Sequence, residues 1–314
     1  MKNKNKIDIA FYSEWDAIRP WKILLRKKGF NLLSWPKEIK NSEKIEIALV
    51  WDPPKNMLNK FPNLKLVHSL GAGVDHIKLK NLNNKLKITR LVDPDLSSQM
   101  SEYIVMSVLM CQRHFFEYSH QQKVKLWKQL KNIPKSEFQV SLLGYGKIGK
   151  DVNKKLNYLG FTTKIWTRTK KMTNNKNFYH GKDQLIKCLK NSSCIVSVLP
   201  LTTETRDIID LSILKRMSSN SCLINVGRGK TVKEEDLIYA LRKKIIKGAI
   251  LDVFEIEPLK ETNPLWNMQN VIITPHIAAT TRVTEHAVNS FVDNIKALYR
   301  GKALKHLVVK HKGY

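Results

Sequence analysis

Short apolar runs rich in β-branched residues recur along the chain. Between them lie longer stretches in which apolar positions return every third or fourth residue. The first pattern marks strands buried on both faces and the second amphipathic helices, and their alternation predicts a parallel α/β sheet. In the first third, strands are predicted over 7–12, 31–34, 45–50, 64–70 and 86–91, with helices over 15–28 and 75–80. From about 97 to 131, Tyr103, Met106, Met110 and Arg113 fall at helical spacing, and this stretch is read as a long helical link. From Phe138 the alternation restarts, with strands over 139–143, 163–167, 194–199, 222–226, 248–251 and 271–274 and helices over 148–159 and 233–243. A final helix over 282–300 is expected to leave the second sheet and return the C-terminal tail to the first domain.

Composition narrows this picture. A chain of 314 residues is long enough for two domains with separate cores. Hydrophobic residues make up 42%, and no apolar run approaches the roughly 20 residues of a membrane span, so a transmembrane protein is excluded. The basic residues 1–6 run straight into a strand, so secretion is not expected. Cys111, Cys188, Cys194 and Cys222 form neither a CxxC pair nor a zinc-ligand pattern, which predicts reduced thiols, no metal site and a cytoplasmic location. The formal net charge is +28, but 44 of the 55 basic residues are Lys spread over the whole chain, and Asn numbers 24. Lys and Asn share A/T-rich codons, so the excess is read as nucleotide bias in the gene, with no specific nucleic-acid partner expected; codon usage is the check.

Gly144-Tyr145-Gly146-Lys147-Ile148-Gly149 fits G-x-G-x-x-G after a predicted strand and at the opening of a helix. There the first glycine permits a tight turn, the second lets backbone approach a pyrophosphate, and the third permits close helix–strand packing. Free N–H groups of the helix N-terminus suit the anion. At the end of the next strand no acid stands where an NAD site places one on the ribose 2′-hydroxyl. Arg168 stands there instead, with Thr167, Thr169 and Lys170 beside it, which predicts a 2′-phosphate and hence NADP(H).

Three later segments each follow a predicted strand: Asn225-Val226-Gly227-Arg228-Gly229, then Leu251-Asp252-Val253-Phe254-Glu255-Ile256-Glu257-Pro258-Leu259, then Thr274-Pro275-His276-Ile277-Ala278-Ala279. Ligands of open α/β sheets bind at the carboxyl ends of strands. Reduction of a 2-oxo acid needs a hydride, a proton for the oxygen, and a cation for the carboxylate and carbonyl. An imidazole such as His276 can supply the proton, a carboxylate such as Glu257 can orient the ring, and Arg228 offers a planar, permanently charged fork.

With these segments the chain resembles the D-isomer-specific 2-hydroxyacid dehydrogenase family, and within it the glyoxylate/hydroxypyruvate reductase A branch. The resemblance includes Ala48-Leu49-Val50-Trp51 with Pro53-Pro54, Leu70-Gly71-Ala72-Gly73-Val74-Asp75, the glycine motif, Trp166 to Lys171, Leu199-Pro200-Leu201-Thr202-Thr203-Glu204-Thr205, and the closing Gly313-Tyr314. It implies two Rossmann/flavodoxin-like doubly wound parallel-sheet domains, with a cofactor domain (99–286) inserted in a substrate domain (1–98 and 287–314). It further implies that Arg228 binds and polarises substrate, that His276 donates the proton and that Glu257 is its partner. Backbone N–H groups of Ala72 and Gly73 would clamp the substrate carboxylate, and Trp51 would wall the pocket. Leu199, Pro200, Thr205, Val226, Gly227, Asp252 and Ala278 would line the cofactor, Asp252 meeting the nicotinamide carboxamide. Two departures, Gln99-Met100-Ser101-Glu102 in the linker and the missing ribose acid, match the reductase A branch.

The activity implied is NADPH-dependent reduction of glyoxylate to glycolate and hydroxypyruvate to D-glycerate. The region of His114-Phe115-Phe116, Tyr118 and Trp127 resembles the family's dimer region, which implies a homodimer. Two alternatives stand beside this reading: a dehydrogenase of a larger D-2-hydroxy acid, and a dinucleotide-sensing protein of the corepressor kind that shares the fold. The remaining histidines are read as structural or solvated.

Overall fold

The computed structural model describes every residue except 1–5, 78–81, 84, 93, 171, 174, 281, 282 and 310–314. Gly313, Tyr314, Lys171 and part of the helix expected over 75–80 therefore lie outside the described residues, as does Arg282 at the start of the expected last helix. The chain divides into two compact units, Met1–Pro94 with Thr281–Tyr314, and Asp95–Thr280.

The first unit holds strands β1 (Ile7–Tyr12), β2 (Phe30–Ser34), β3 (Ile47–Val50), β4 (Leu66–Ser69) and β5 (Lys87–Arg90), all parallel, in the order β2-β1-β3-β4-β5. That order is the flavodoxin-like form of a doubly wound sheet. Helix α1 (Ile18–Lys27) buries Trp21 and Leu25, four residues apart on one face. Residues 75–77 form a turn rather than the expected helix. The last helix, α8 (Glu285–Tyr299), is capped by Thr284 and packs against α1 and β4. Beyond it Val308 is buried in a core with Ala10, Ala48, Val67 and Ile88 of the strands and Leu307 bridges Thr89, so the tail does return to the first sheet.

The second unit begins within α2 (Pro94–Gln112), which α3 (Phe115–Lys123) follows. The expected single helix breaks at His114, whose φ of 61° is left-handed, and residues 126–134 form no helix. Helical side chains hold this extended stretch instead: the Tyr118 hydroxyl accepts from the Leu130 N–H, and His114 Nε2 lies 2.9 Å from the Lys131 carbonyl oxygen. Strands β6 (Val140–Leu143), β7 (Thr163–Thr167), β8 (Phe178–His180), β9 (Cys194–Ser197), β10 (Cys222–Asn225), β11 (Gly248–Leu251) and β12 (Val271–Ile273) then form one parallel sheet. Its order is β12-β11-β10-β9-β6-β7-β8. With α4 (Lys147–Tyr158), α5 (Gly181–Leu189), α6 (Leu211–Leu214) and α7 (Glu234–Arg242) this is a doubly wound Rossmann sheet, whose strand order reverses between β6 and β9. The pattern read from sequence lacked β8 and α5. A three-residue edge strand has no measurable period, and α5 presents only Leu185, Cys188 and Leu189 to the core.

Strand residues alternate between two cores. Leu143, Ile195, Leu223 and Ala249 face one, while Leu142, Val196, Ile224 and Ile250 face the other. Among the four cysteines, all free and buried, Cys111, Cys194 and Cys222 share the second of these cores.

His68 on β4 is fully buried, stacked 4.8 Å from the Phe291 ring, with Nδ1 2.8 Å from the Thr89 hydroxyl. Burial, with a smaller effect from the charge on His306, pushes its pKa from 6.5 down to about 3. The folded chain therefore refuses a proton that the unfolded chain takes up below pH 6.5, and stability falls as the pH drops from there towards 3. At pH 5 the loss from this one group is expected to be about 2 kcal/mol. Denaturant unfolding at pH 7 and pH 5 should show it, and His68→Gln should flatten the pH dependence even where it lowers stability.

Candidate active site

Hydrogen-bonded register places the ends of six strands of the second unit in one row: Trp166, Leu143, Ser197, Asn225, Leu251 and Ile273 are successive partners across the sheet. Nearly every residue that the sequence nominates in this unit lies within a few positions beyond that row.

After β6 the chain turns at Gly144, whose φ of +109° a side chain rarely adopts. Gly146 is the N-cap of α4, and a Cβ there would meet nothing within 4 Å. Gly149 is the opposite case: its Cβ would stand 2.2 Å from the Gly144 carbonyl oxygen, so only glycine lets the helix seat on the turn. The Tyr145 ring meets Phe178 edge-on at 4.9 Å. No acid occupies the first turn of α4, and Lys147 opens it. Cations at the positive end of a helix dipole disfavour the helix alone and favour an anion bound there. The open backbone at Gly146 and this unbalanced charge fit a dinucleotide pyrophosphate.

Beyond β7, Arg168 is half-buried and its Nη1 lies 3.3 Å from Oε1 of Glu204, which belongs to the segment after β9. Thr169 and Lys170 are exposed. Thr167 is not available in the way expected: it is buried, and its hydroxyl donates to the Thr169 carbonyl at 2.8 Å, which shapes the turn that presents Arg168. Thr205 is similarly occupied, donating to the Pro200 carbonyl at 2.6 Å and accepting from the Thr202 N–H at 2.8 Å. Pro200 is exposed, whereas Leu199 and Val226 are buried.

Arg228 follows β10 on a loop that two glycines let approach its neighbours. A Cβ on Gly227 would lie 2.6 Å from the Leu199 carbonyl oxygen, and one on Gly229 would lie 1.9 Å from the Phe254 carbonyl. Asn225 Nδ2 and the Thr231 hydroxyl both donate to the Arg228 carbonyl, at 3.1 and 2.7 Å, and Arg228 Nη1 donates to the Gly227 carbonyl at 2.8 Å.

Glu257 and His276 meet directly, with Nδ1 of His276 2.7 Å from Oε2 of Glu257. The other oxygen of Glu257 accepts from the Phe254 N–H at 2.8 Å. Burial tends to raise the pKa of Glu257, but the hydrogen bond and charge of His276, the Phe254 N–H and the Arg228 charge outweigh it. The net shift is downward and the group is a carboxylate at neutral pH. His276 itself sits at φ 55°. Its N–H donates to the Asp252 carbonyl at 2.9 Å. The Asp252 carboxylate, 1% exposed, accepts from the Thr274 hydroxyl at 2.6 Å and from the N–H groups of Ile277 and Ala278 at 2.7 and 2.9 Å. Burial raises the pKa of Asp252 against those hydrogen bonds. Asp252 and Ala278, nominated for the cofactor, are thus engaged with the His276 loop.

In the first unit, Trp51 follows β3 and packs 4.0 Å from the His76 ring. A Cβ on Gly71 would reach 2.2 Å from the Trp51 indole, so the glycine makes room for it. The Ser69 hydroxyl lies 3.0 and 2.9 Å from the carbonyl oxygens of Gly71 and Gly73, and Arg90 donates to the Ala72 carbonyl at 3.1 Å. A trans peptide points its N–H opposite its carbonyl. The N–H groups of Ala72 and Gly73 therefore face away from Ser69 and Arg90. Ser69, Arg90, Asn225 and Thr231 were not nominated from sequence, since a brace is recognisable only by what it touches.

No group of three or more His, Cys, Asp or Glu side chains among the described residues could hold a metal ion. No helix among them is long and apolar enough to cross a membrane.

The family model for the NAD binding domain of D-isomer specific 2-hydroxyacid dehydrogenases matches residues 105–278. The chain is similar to the glyoxylate/hydroxypyruvate reductase A of Photorhabdus laumondii, at 35% identity over 317 residues covering 98% of this chain and 100% of that one. Among solved structures it is similar to a D-isomer specific 2-hydroxyacid dehydrogenase from Xanthobacter autotrophicus in complex with NADPH and MES (TM-score 0.88, 34% identity, 98% of this chain and 100% of that one covered). An NADPH-dependent glyoxylate/hydroxypyruvate reductase from Sinorhizobium meliloti in complex with NADP and sulfate is also similar (TM-score 0.88, 29% identity, 98% and 100% covered).

The two glycines of the turn should separate packing from anion binding. Gly149→Ala is expected to lower stability by about 1–3 kcal/mol through overpacking and to weaken dinucleotide binding with it. Gly146→Ala, which adds its Cβ to open space, should leave the unfolding midpoint nearly unchanged and still weaken the dinucleotide. Thermal unfolding alongside nicotinamide fluorescence titration distinguishes the two.

Proposed function

Because the chain belongs to the D-isomer specific 2-hydroxyacid dehydrogenase family, we propose that it is an NADPH-dependent reductase of small 2-oxo acids. It converts glyoxylate to glycolate and hydroxypyruvate to D-glycerate. The observation that carries the reading is the 2.7 Å pair of His276 and Glu257 at the carboxyl edge of the Rossmann sheet whose β7 is followed by Arg168 rather than an acid. Relatives named as glyoxylate/hydroxypyruvate reductases and similar structures that hold NADPH or NADP support the same assignment.

NADPH, when bound, supplies the hydride that goes to the carbonyl carbon of the 2-oxo acid. The chain does the rest. With Nδ1 held by Glu257, Nε2 of His276 is the atom that carries a proton to the carbonyl oxygen, and the ring regains it from water. The ionised Glu257 fixes the ring. Arg228 holds the substrate carboxylate and polarises the carbonyl. Substrate contacts in the first unit are assigned to Trp51 and to the N–H groups of Ala72 and Gly73.

Cofactor contacts are assigned to Gly144, Tyr145, Gly146, Lys147, Ile148 and Gly149 for the pyrophosphate, and to Arg168, Thr169 and Lys170 for the 2′-phosphate. Thr167 shapes that site from behind. Leu199, Pro200, Thr205, Val226 and Gly227 form the cofactor-side wall, with Asp252 and Ala278 fixing the loop that borders it. Four buried free thiols fit a reducing cytoplasm.

A second copy of the chain is the partner proposed for the apolar surface of α2, α3 and the segment after them. Met106, Phe115, Val124 and Leu126 are each about half exposed there and Trp127 is 99% exposed, while Phe116 is buried in its own core. Exposure of that kind marks an interaction site.

The test is loss of reduced-nicotinamide absorbance with glyoxylate or hydroxypyruvate. Turnover should be fast with NADPH and slow with NADH; a preference for NADH overturns the cofactor assignment, and no turnover with either moves weight to a larger 2-oxo acid or to a binding role. Arg168→Asp should raise KM for NADPH by about 10–100-fold, the worth of charge-assisted hydrogen bonds to a phosphate, with little change for NADH. His276→Ala should lower kcat by about 100-fold or more with cofactor binding intact. For the partner, light scattering should give the mass of two chains, and Leu126→Glu with Trp127→Glu should give one.

A further inference from the structure

We propose that Tyr103 is a positioning residue for the proposed acid His276, acting through the Thr274 hydroxyl and the Asp252 carboxylate; the proposal rests on the reading of His276 as proton donor. Tyr103 lies on α2, 9% exposed, and its hydroxyl is 2.6 Å from Oγ1 of Thr274. Thr274 Oγ1 is in turn 2.6 Å from Oδ1 of Asp252. Directions follow from the chemistry of the end group. An ionised carboxylate only accepts, so the single Thr274 proton goes to Asp252, and the Tyr103 proton must go to Thr274. The two hydroxyls then form a relay that ends on one buried carboxylate, which also gathers the N–H groups of Ile277 and Ala278.

Those two N–H groups and the Thr274 side chain flank His276 on both sides. The residue between them adopts the left-handed conformation, which costs a non-glycine residue roughly 1–2 kcal/mol and needs its surroundings to hold it. The N–H of His276 itself donates to the Asp252 carbonyl. Asp252 therefore fixes the loop from four directions, and the carboxylate oxygen that takes two of those bonds, from Thr274 and Ile277, is the one to which Tyr103 is linked. A phenol whose role was only to fill space would not need its hydroxyl aimed into this chain, and Ser107 on the same helix already satisfies the Tyr103 carbonyl. In this arrangement Tyr103 touches neither substrate nor cofactor; it acts by holding the loop on which the proton donor is placed.

The test uses the full chain with Tyr103→Phe, Thr274→Val, the double variant and Thr274→Ser, measured with NADPH and with NADPH carrying deuterium at the transferred position. Tyr103→Phe should lower kcat by about 5–10-fold and Thr274→Val by more, the effect of one and two lost hydrogen bonds, with KM for NADPH within about twofold of wild type. The deuterium effect on kcat should rise in both, because the chemical step becomes more limiting. Residues acting as a unit are not additive, so the double variant should be within about twofold of Thr274→Val. Thr274→Ser, which keeps the hydroxyl, should recover most of the loss. Wild-type kcat in Tyr103→Phe and Thr274→Val, or losses that multiply in the double variant with no rise in the deuterium effect, would overturn the proposal. His276→Ala run in parallel separates the two failures: retained turnover there sinks the proton-donor reading, whereas collapse there with normal Tyr103→Phe and Thr274→Val sinks this one alone.

Discussion

Parallel register in the seven-stranded sheet is the constraint on which the candidate site depends. Backbone hydrogen bonds put Trp166, Leu143, Ser197, Asn225, Leu251 and Ile273 in one row. A slip of one residue in any strand would exchange its two faces and move its residues from one core to the other. Because both faces are buried, that slip is costly, and the six loops must leave the sheet at one level. The glycine turn, Arg168, Pro200, Arg228, Asp252 and Thr274 follow the row by one to three residues in the chain. Apolar packing in the two cores is thus what brings together groups that are up to about 130 residues apart in sequence.

Charge adds a second constraint on the same edge. Helix α4 begins with Lys147 and has no acid in its first turn. Arg168 stands just beyond β7 and pairs with the carboxylate of Glu204, which is more than half exposed. An exposed pair of this kind contributes little on its own, so the cation can exchange a screened carboxylate for a phosphate at small cost. An acid at the end of β7 would instead repel a phosphate at that place.

Much of this was legible in the sequence, for a definite reason. Strands such as Ile7–Tyr12, Thr163–Thr167 and Gly248–Leu251 have the predicted bounds because short runs rich in apolar and β-branched residues mark buried strands. The helical link was misjudged at His114, where a left-handed residue ends α2 without a glycine or proline to announce it. Short β8 and the weakly apolar α5 lacked a period. The catalytic candidates were legible because each stands just beyond a strand, whereas their braces were not. Tyr103 reads as one more apolar position on a helix, and its partner Thr274 lies 171 residues away. Thr167 shows the converse: a hydroxyl next to an arginine suggests a phosphate ligand, but its single proton goes to the backbone.

The left-handed backbone at His276 bears on how such a site keeps its geometry. The left-handed backbone fixes the direction in which the His276 side chain leaves the loop, and the hydrogen bond to Glu257 then holds the ring. Release of the loop would break the bonds of Thr274, Ile277 and Ala278 to Asp252 and leave a carboxylate buried without partners. An unsatisfied buried charge costs several kcal/mol, more than the strain it holds. The strain at His276 and the burial of Asp252 are therefore one device: each would be unfavourable alone, and together they fix the backbone from which the imidazole reaches Glu257.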